Sequence, residues 1–292
     1  MAERGRDVGG AARRDPDPLR ALRPRDGSAP HDGGLSVRAA LPLFVGCACL
    51  LLILPIVIVV VLGFNGGTLL RFPPTSLSLR WFAAFLGDPA WRAALWSSLA
   101  IGGVACVVAT GVGFLAAYAL VRGAFPAKRL VLAVALLPIV SPTVVTAIAM
   151  YYASARLGLV GSVIWVGLCH AVIAFPVVLL ILLSALQSVD LRLEQAALSL
   201  GASRARTMRT VVVPLAAPGL ASAALFAFLT SFDELVISLF LTNAATQTLP
   251  VRIWNSLHMQ VEPTVAAVSA FLIGVTGVIL GVDALLRRRR DA

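Results

Sequence analysis

Two carboxylates stand side by side in an otherwise apolar run. They are Asp233 and Glu234 in LTSFDELVISLFL. A carboxylate inside a membrane costs roughly 2.5–3.5 kcal/mol on insertion scales, so it is expected to face a partner or a wet pathway. Successive helical residues point about 100° apart, so the two cannot line one narrow path equally. Two readings stay open. Either the pair lines a translocation pathway, where carboxylates are natural way-stations for a cationic solute, or it is structural, with one member bonded to Thr230, Ser231 or a neighbouring helix. His170 is expected to be a packed, hydrogen-bonded core histidine rather than a proton carrier. Cys169 beside it makes a poor metal chelate because the two side chains diverge around the helix. Cys47, Cys49, Cys106 and Cys169 lie in apolar stretches without a CxxC pair, which predicts buried free thiols and no disulfide or metal site.

Catalytic sets are missing. A phosphate-binding loop needs GxxxxGK[ST], and Lys128, the only lysine, sits in FPAKRL without a glycine frame. His31, His170 and His258 form no HExxH, and no serine is placed with His170 as a nucleophile would be. No catalytic residue is assigned, and the chain is expected to lack an ATPase motif and bind no cofactor.

The elements that must position these residues are membrane spans. Hydrophobic residues make up 59% and charged residues 13%, against about 25% charged in soluble proteins. The formal net charge of +10 is concentrated in tails and loops. It is therefore expected to set topology and hold lipid headgroups, not nucleic acid.

Residues 1–38 are expected to be a disordered tail, with no cleaved signal peptide. Six spans follow, at about 39–63, 94–121, 130–153, 159–186, 215–241 and 263–286, each long enough to cross about 30 Å of hydrocarbon. Pro42 and Pro55 are candidate bends in the first. Residues 64–93 form a connection with a short surface helix whose Trp81, Phe82, Phe85, Trp91 and Trp96 suit a membrane interface. Gly102, Gly103, Gly111 and Gly113 invite close approach of another helix. Residues 242–262 form the last outer connection, with His258 and Glu262 solvated. A basic tail, 287–292, carries Arg287, Arg288, Arg289 and Arg290. The basic loops all fall on one side, which places both termini in the cytoplasm.

The most informative stretch is polar: SVDLRLEQAALSLGASRARTMRTVVVP, Ser188 to Pro214. Asp190 can cap a helix beginning at Leu191, with Glu194 near its positive end. Gly201 can close that helix in the left-handed conformation. Ser203 can cap a second short helix bearing Arg204, Arg206 and Arg209, and Pro214 suits the first turn of the next span. Two short surface helices are expected, with Gly201 as the corner. A featureless basic surface helix is the plainer alternative.

This stretch resembles the signature of permease subunits of ATP-binding-cassette importers: EAA, three residues, Gly, nine residues, an apolar pair, Pro. Gln195, Ala196, Ala197, Gly201, Val211, Val213 and Pro214 fall at those spacings. Gln195 stands in the acidic position, with Glu194 one residue earlier. FPPTSLSLRWFAAFL, SFDELVISLFL and TLPVRIWNSL followed by VEPTVAAVSA look like the spermidine/putrescine-type branch, which also holds opine and phosphonate importers. The resemblance covers about Leu41 to Leu286. It implies an all-α polytopic membrane protein with six transmembrane helices of importer-permease (MetI-like) type. It implies a second permease subunit, related but different, a cytoplasmic P-loop ATPase dimer that hydrolyses the ATP, and an extracytoplasmic solute-binding protein. It implies that Glu194, Gln195, Ala196, Ala197, Gly201 and Pro214 couple the chain to the ATPase, and that Asp233 and Glu234 are pathway candidates. An ion-gradient-driven secondary carrier is the alternative, although neither the repeats nor the broken helices that such carriers often show are expected in this chain.

If Gly201 is a stiff corner between the helix and the span, Gly201→Leu strains it. The variant is expected to insert in the membrane at normal levels and to lose ATP-dependent uptake, measured in whole cells. Normal uptake would remove the corner from the mechanism.

Overall fold

The computed structural model describes residues 33–259 and 263–291; residues 1–32 of the expected tail and Glu262 lie outside the described residues. Two compact units are distinguished, residues 1–54 and 55–292. In the first, the described chain is the opening part of helix α1, Gly33–Gly63, and its side chains from Leu41 to Leu54 are exposed apart from half-buried Ala48. The helix begins inside the stretch expected to be disordered. It also runs through Pro42 and Pro55 unbroken, so neither proline interrupts the first span.

The second unit is helical, apart from one antiparallel bridge between Asn65 and Leu77 among the described residues. Its helices are α2 (Arg80–Gly87), α3 (Pro89–Arg122), α4 (Lys128–Val140), α5 (Thr143–Leu157), α6 (Val163–Gln187) and α7 (Leu191–Ser199). Then come α8 (Arg204–Thr207), α9 (Val213–Phe232), α10 (Val236–Leu241), α11 (Leu249–Met259) and α12 (Pro263–Asp291). Four of the described helical stretches are long and apolar enough to cross a membrane, or five if the bent pair α4–α5 is one span. The stretch expected as the sixth span is apolar over Pro263–Val278, and its helix continues to Asp291.

The core lies between α3, α6 and α9. Ala105, Ala109 and Ala117 of α3 meet Ala174, Val178, Leu179 and Leu182 of α6, and Ala216, Ala223 and Ala227 of α9, all buried. Small side chains let helix axes approach closely where lipid gives no hydrophobic reward for association. Two of the four expected glycines take part. A methyl group on Gly102 would meet Phe228 at 2.9 Å, and one on Gly113 would meet Val178 at 2.8 Å, whereas Gly103 and Gly111 face open space. Closer helix–helix approaches fall on Gly219 of α9, against Ala185 Cβ of α6, and on Gly167 of α6, 2.6 Å from Val104 Cβ and 3.0 Å from the Ile101 carbonyl when a methyl is added.

Three expectations of the chain's course are corrected. The third span is two helices, α4 and α5, bent by 100° at Ser141–Pro142. Pro142 lacks an N–H, and Ser141 before it is held extended (φ −69°, ψ 132°), as the proline ring requires. The fifth span is also two helices, α9 and α10, interrupted at Asp233–Leu235. Finally, Phe85 and Trp91 do not face an interface. They are buried with Ala94, Leu249 and Val268, and Leu249 belongs to α11, a helix within the expected outer connection 242–262.

Gly167→Leu forces α3 and α6 apart, and overpacking of this kind costs about 1–3 kcal/mol. Its thermal unfolding midpoint in detergent should fall well below that of Gly103→Leu, which has open space to fill.

Candidate functional site

Helix α7 forms as its sequence dictates. The Asp190 carboxylate accepts from the Arg192 N–H at 2.9 Å and caps the first turn. At the other end Gly201 takes φ +86°. Its N–H donates to the Leu198 carbonyl at 3.0 Å, and the Ala202 N–H donates to the Ala197 carbonyl at 3.1 Å. This paired closure satisfies carbonyls that the helix end would otherwise leave bare. A side chain at Gly201 would meet open space, so the left-handed backbone alone demands glycine.

The outer face of α7 is open: Leu191, Leu193, Gln195, Ala196 and Leu198 are exposed and Ala197 is half-buried. Glu194 is the one buried side chain of the helix, at 4% exposure. Its carboxylate pairs with Arg122 Nη2 at 2.7 Å. It also accepts from Arg122 Nε at 2.8 Å and from the Tyr118 hydroxyl at 3.2 Å. Arg122 Nη2 further donates to the Val189 carbonyl at 2.7 Å. Glu194 is therefore turned toward the bundle, opposite to what a docking contact needs. The physical reason is the rotation of about a quarter turn that separates it from Gln195, which does face outward.

Beyond the corner, the Ser203 hydroxyl accepts from the Arg206 N–H at 3.3 Å. The second short helix does not stand alone. From Arg204 to Phe232 the chain is one continuous helix, with a π-helical turn at Met208–Val212. Pro214 follows that turn in the first residues of α9. Proline clashes with the carbonyl four residues earlier, and a widened turn gives that carbonyl room.

The second site is the interruption of the fifth span. The Asp233 N–H still closes α9 on the Leu229 carbonyl at 3.1 Å. Glu234 accepts from the Ile237 N–H at 3.0 Å and so starts α10. Asp233 is exposed, and no hydrogen bond or ion pair holds its carboxylate among the described residues. It lines a cavity of about 760 Å³ with Leu229, Phe232, Pro250, Trp254 and Leu257. His170 spans the break from α6. Its Nδ1 lies 2.7 Å from the Ser231 hydroxyl in α9, and its Nε2 lies 3.3 Å from the Ser238 hydroxyl in α10. Cys47 and Cys49 are exposed rather than buried, and all four cysteines are free.

The model of the "Binding-protein-dependent transport system inner membrane component" family matches residues 109–291, more than half of the chain. The chain belongs to this family. The permease is 28% identical to the putrescine transport system permease protein PotI of Escherichia coli K12 over 77% of its own length and 82% of that protein. It is 28% identical to the spermidine/putrescine transport system permease protein PotC of the same strain, over 81% and 89%. It is 34% identical to the trehalose transport system permease protein SugB of Mycobacterium tuberculosis, over 70% and 75%. Its fold matches a chain of a bacterial ABC transporter involved in the import of the acidic polysaccharide alginate. That match has a TM-score of 0.66 at 14% identity, covering 88% of the permease and 97% of the other chain. The permease is an inner-membrane subunit of an ATP-driven, binding-protein-dependent importer.

What fastens both sites is not visible along the chain. Arg122 signals only a loop end, and nothing ties it to a carboxylate 72 residues later. Ser231 is expected as a partner of the adjacent carboxylates and Ser238 as a plain hydroxyl, but the break aims both at the His170 imidazole.

His170→Leu strands two buried hydroxyls at about 1–3 kcal/mol each. Its unfolding midpoint in detergent should fall, and adding Ser231→Ala and Ser238→Ala should restore most of it. No recovery in the triple variant would mean that the ring's volume, not its bonding, holds the break.

Proposed function

We propose that the permease carries a small organic amine of the polyamine class and is driven through α7 by a separate ATPase. The observation that carries this is the two-faced character of α7. It is capped at both ends and pinned inward by Glu194, while Gln195, Ala196 and Leu198 stand free on the outer face. A short rigid helix with an unoccupied, weakly apolar face suits the groove of a protein partner. Arg192 within it and Arg204, Arg206 and Arg209 beyond it favour the cytoplasmic side and both termini there. Gln195, Ala196, Ala197 and Leu198 make the contact, Gly201 forms the corner, and Pro214 passes the movement to α9. The chain has no phosphate-binding loop of its own, binds no cofactor, and leaves ATP hydrolysis to the partner. A second, related permease completes the pathway, and an extracytoplasmic binding protein delivers the solute.

Asp233 favours an amine among the cargoes considered. An unpaired carboxylate beside Trp254 and Phe232 attracts an ammonium by charge and by the aromatic face. An anionic phosphonate would be repelled there, and a sugar would leave the charge unanswered. Similarity to PotI and PotC supports the same class.

Purification of the tagged permease in mild detergent from its own cells should recover a P-loop ATPase. Ala196→Arg with Leu198→Asp, which leaves Glu194 untouched, should abolish that recovery while the permease stays folded. Absence of an ATPase from the intact permease would favour a carrier driven by an ion gradient.

A further inference from the structure

Helix α7 has no apolar side chain sunk into the bundle. Its single buried side chain is a carboxylate, and the partner of that carboxylate is the last residue of α3. Arg122 is 15% exposed and Glu194 6% by side chain, so solvent contributes little to either. The guanidinium does two things at once. Nε and Nη2 hold Glu194, and Nη2 also holds the Val189 carbonyl, one residue before the Asp190 cap. A planar guanidinium can make both contacts in a fixed geometry, which a lysine ammonium cannot. The start and the middle of α7 are thereby bound to the same atom group on α3. On its other side α7 closes at Gly201, where an added side chain would meet open space.

We propose that Arg122 is the positioning residue that makes α7 and the end of α3 move as one body, so that force on α7 enters the bundle through α3 as well as through Pro214 and α9. The inference rests on the reading that α7 receives a partner ATPase. The route through α3 matters because α3 packs along α6 and α9 over the buried alanine core. A pull on Arg122 therefore reaches α6 and α9 directly through the core, whereas the route through α9 first crosses the π-turn at Met208–Val212. Tyr118, one turn before Arg122, adds a weaker bond from α3 to the same carboxylate.

The test uses the assembled transporter, with Cys47, Cys49, Cys106 and Cys169 replaced and spin labels placed at Ser199→Cys on α7 and Leu115→Cys on α3. Both positions are exposed. With Arg122 present, the label distance should be single, narrow and the same in nucleotide-free and ATP–vanadate-trapped complexes. Arg122→Gln should broaden it and make it shift on trapping, and Glu194→Gln should do so more mildly. In proteoliposomes with putrescine as probe, solute moved per ATP hydrolysed should fall by about tenfold in Arg122→Gln, on the scale of one charge-assisted hydrogen bond. Arg122→Lys should recover part of that ratio. An unchanged distance in both variants, or a distance that shifts with ATP when Arg122 is present, overturns the proposal. Failure of both variants to assemble with the ATPase also overturns it and leaves the pair a folding role. Absence of putrescine uptake with Arg122 present counts against the cargo class alone, because the label distance is measured without cargo. Absence of an ATPase counts against the transport reading, and the nucleotide-free distances still judge the pair.

Discussion

Lipid tails are as apolar as leucine, so nothing like the hydrophobic effect draws α3, α6 and α9 together once they are in a bilayer. Close contact has to do it. Small residues recur at the contact, with alanines on all three helices, Gly167 against Val104 and Gly113 against Val178, and they let the larger Leu179 and Leu182 of α6 pack between the axes. The remaining parts of the second unit depend on that contact. The surface helix hangs from the end of α3 and the end of α6, and the broken fifth span is held against α6 by His170.

An interrupted helix inside apolar sequence bares backbone groups that lipid cannot satisfy. At Asp233–Leu235 the cost is offset locally. The Asp233 N–H closes one helix and the Glu234 carboxylate opens the next. His170 then joins the two pieces through a hydroxyl on each. The two adjacent carboxylates are thus unlike in kind. Glu234 is committed to the backbone, while Asp233 is left to the cavity. A charge without a partner among the described residues thus stands beside a neighbour that starts the next helix.

The surface helix follows a different logic. A buried pair of charges gives little net stability relative to an apolar contact, but removing one member is costly because the other is stranded. Apolar packing would let α7 slide and roll. A guanidinium that must meet one carboxylate and one carbonyl holds it in a single orientation. The exposed leucines on its outer face are then kept available rather than absorbed into the bundle.

Much of this was legible in one dimension. Composition announced a membrane protein, the resemblance carried by Gln195 to Pro214 pointed to an importer permease, and local chemistry predicted the Asp190 cap, the Gly201 corner and the Ser203 cap. These features depend on residues within a turn or two of one another, where side-chain type and backbone preference suffice. The tertiary structure decided what depends on distant partners. It turned Glu194 inward, because Arg122 and Tyr118 lie there, and left Gln195 outside. It broke the third and fifth spans, which hydropathy alone reads as continuous, because hydropathy records greasiness and not backbone continuity. It set His170 between Ser231 and Ser238 and separated the roles of Asp233 and Glu234. A sequence specifies which groups can bond. Only the packing of α3, α6 and α9 specifies which of them meet.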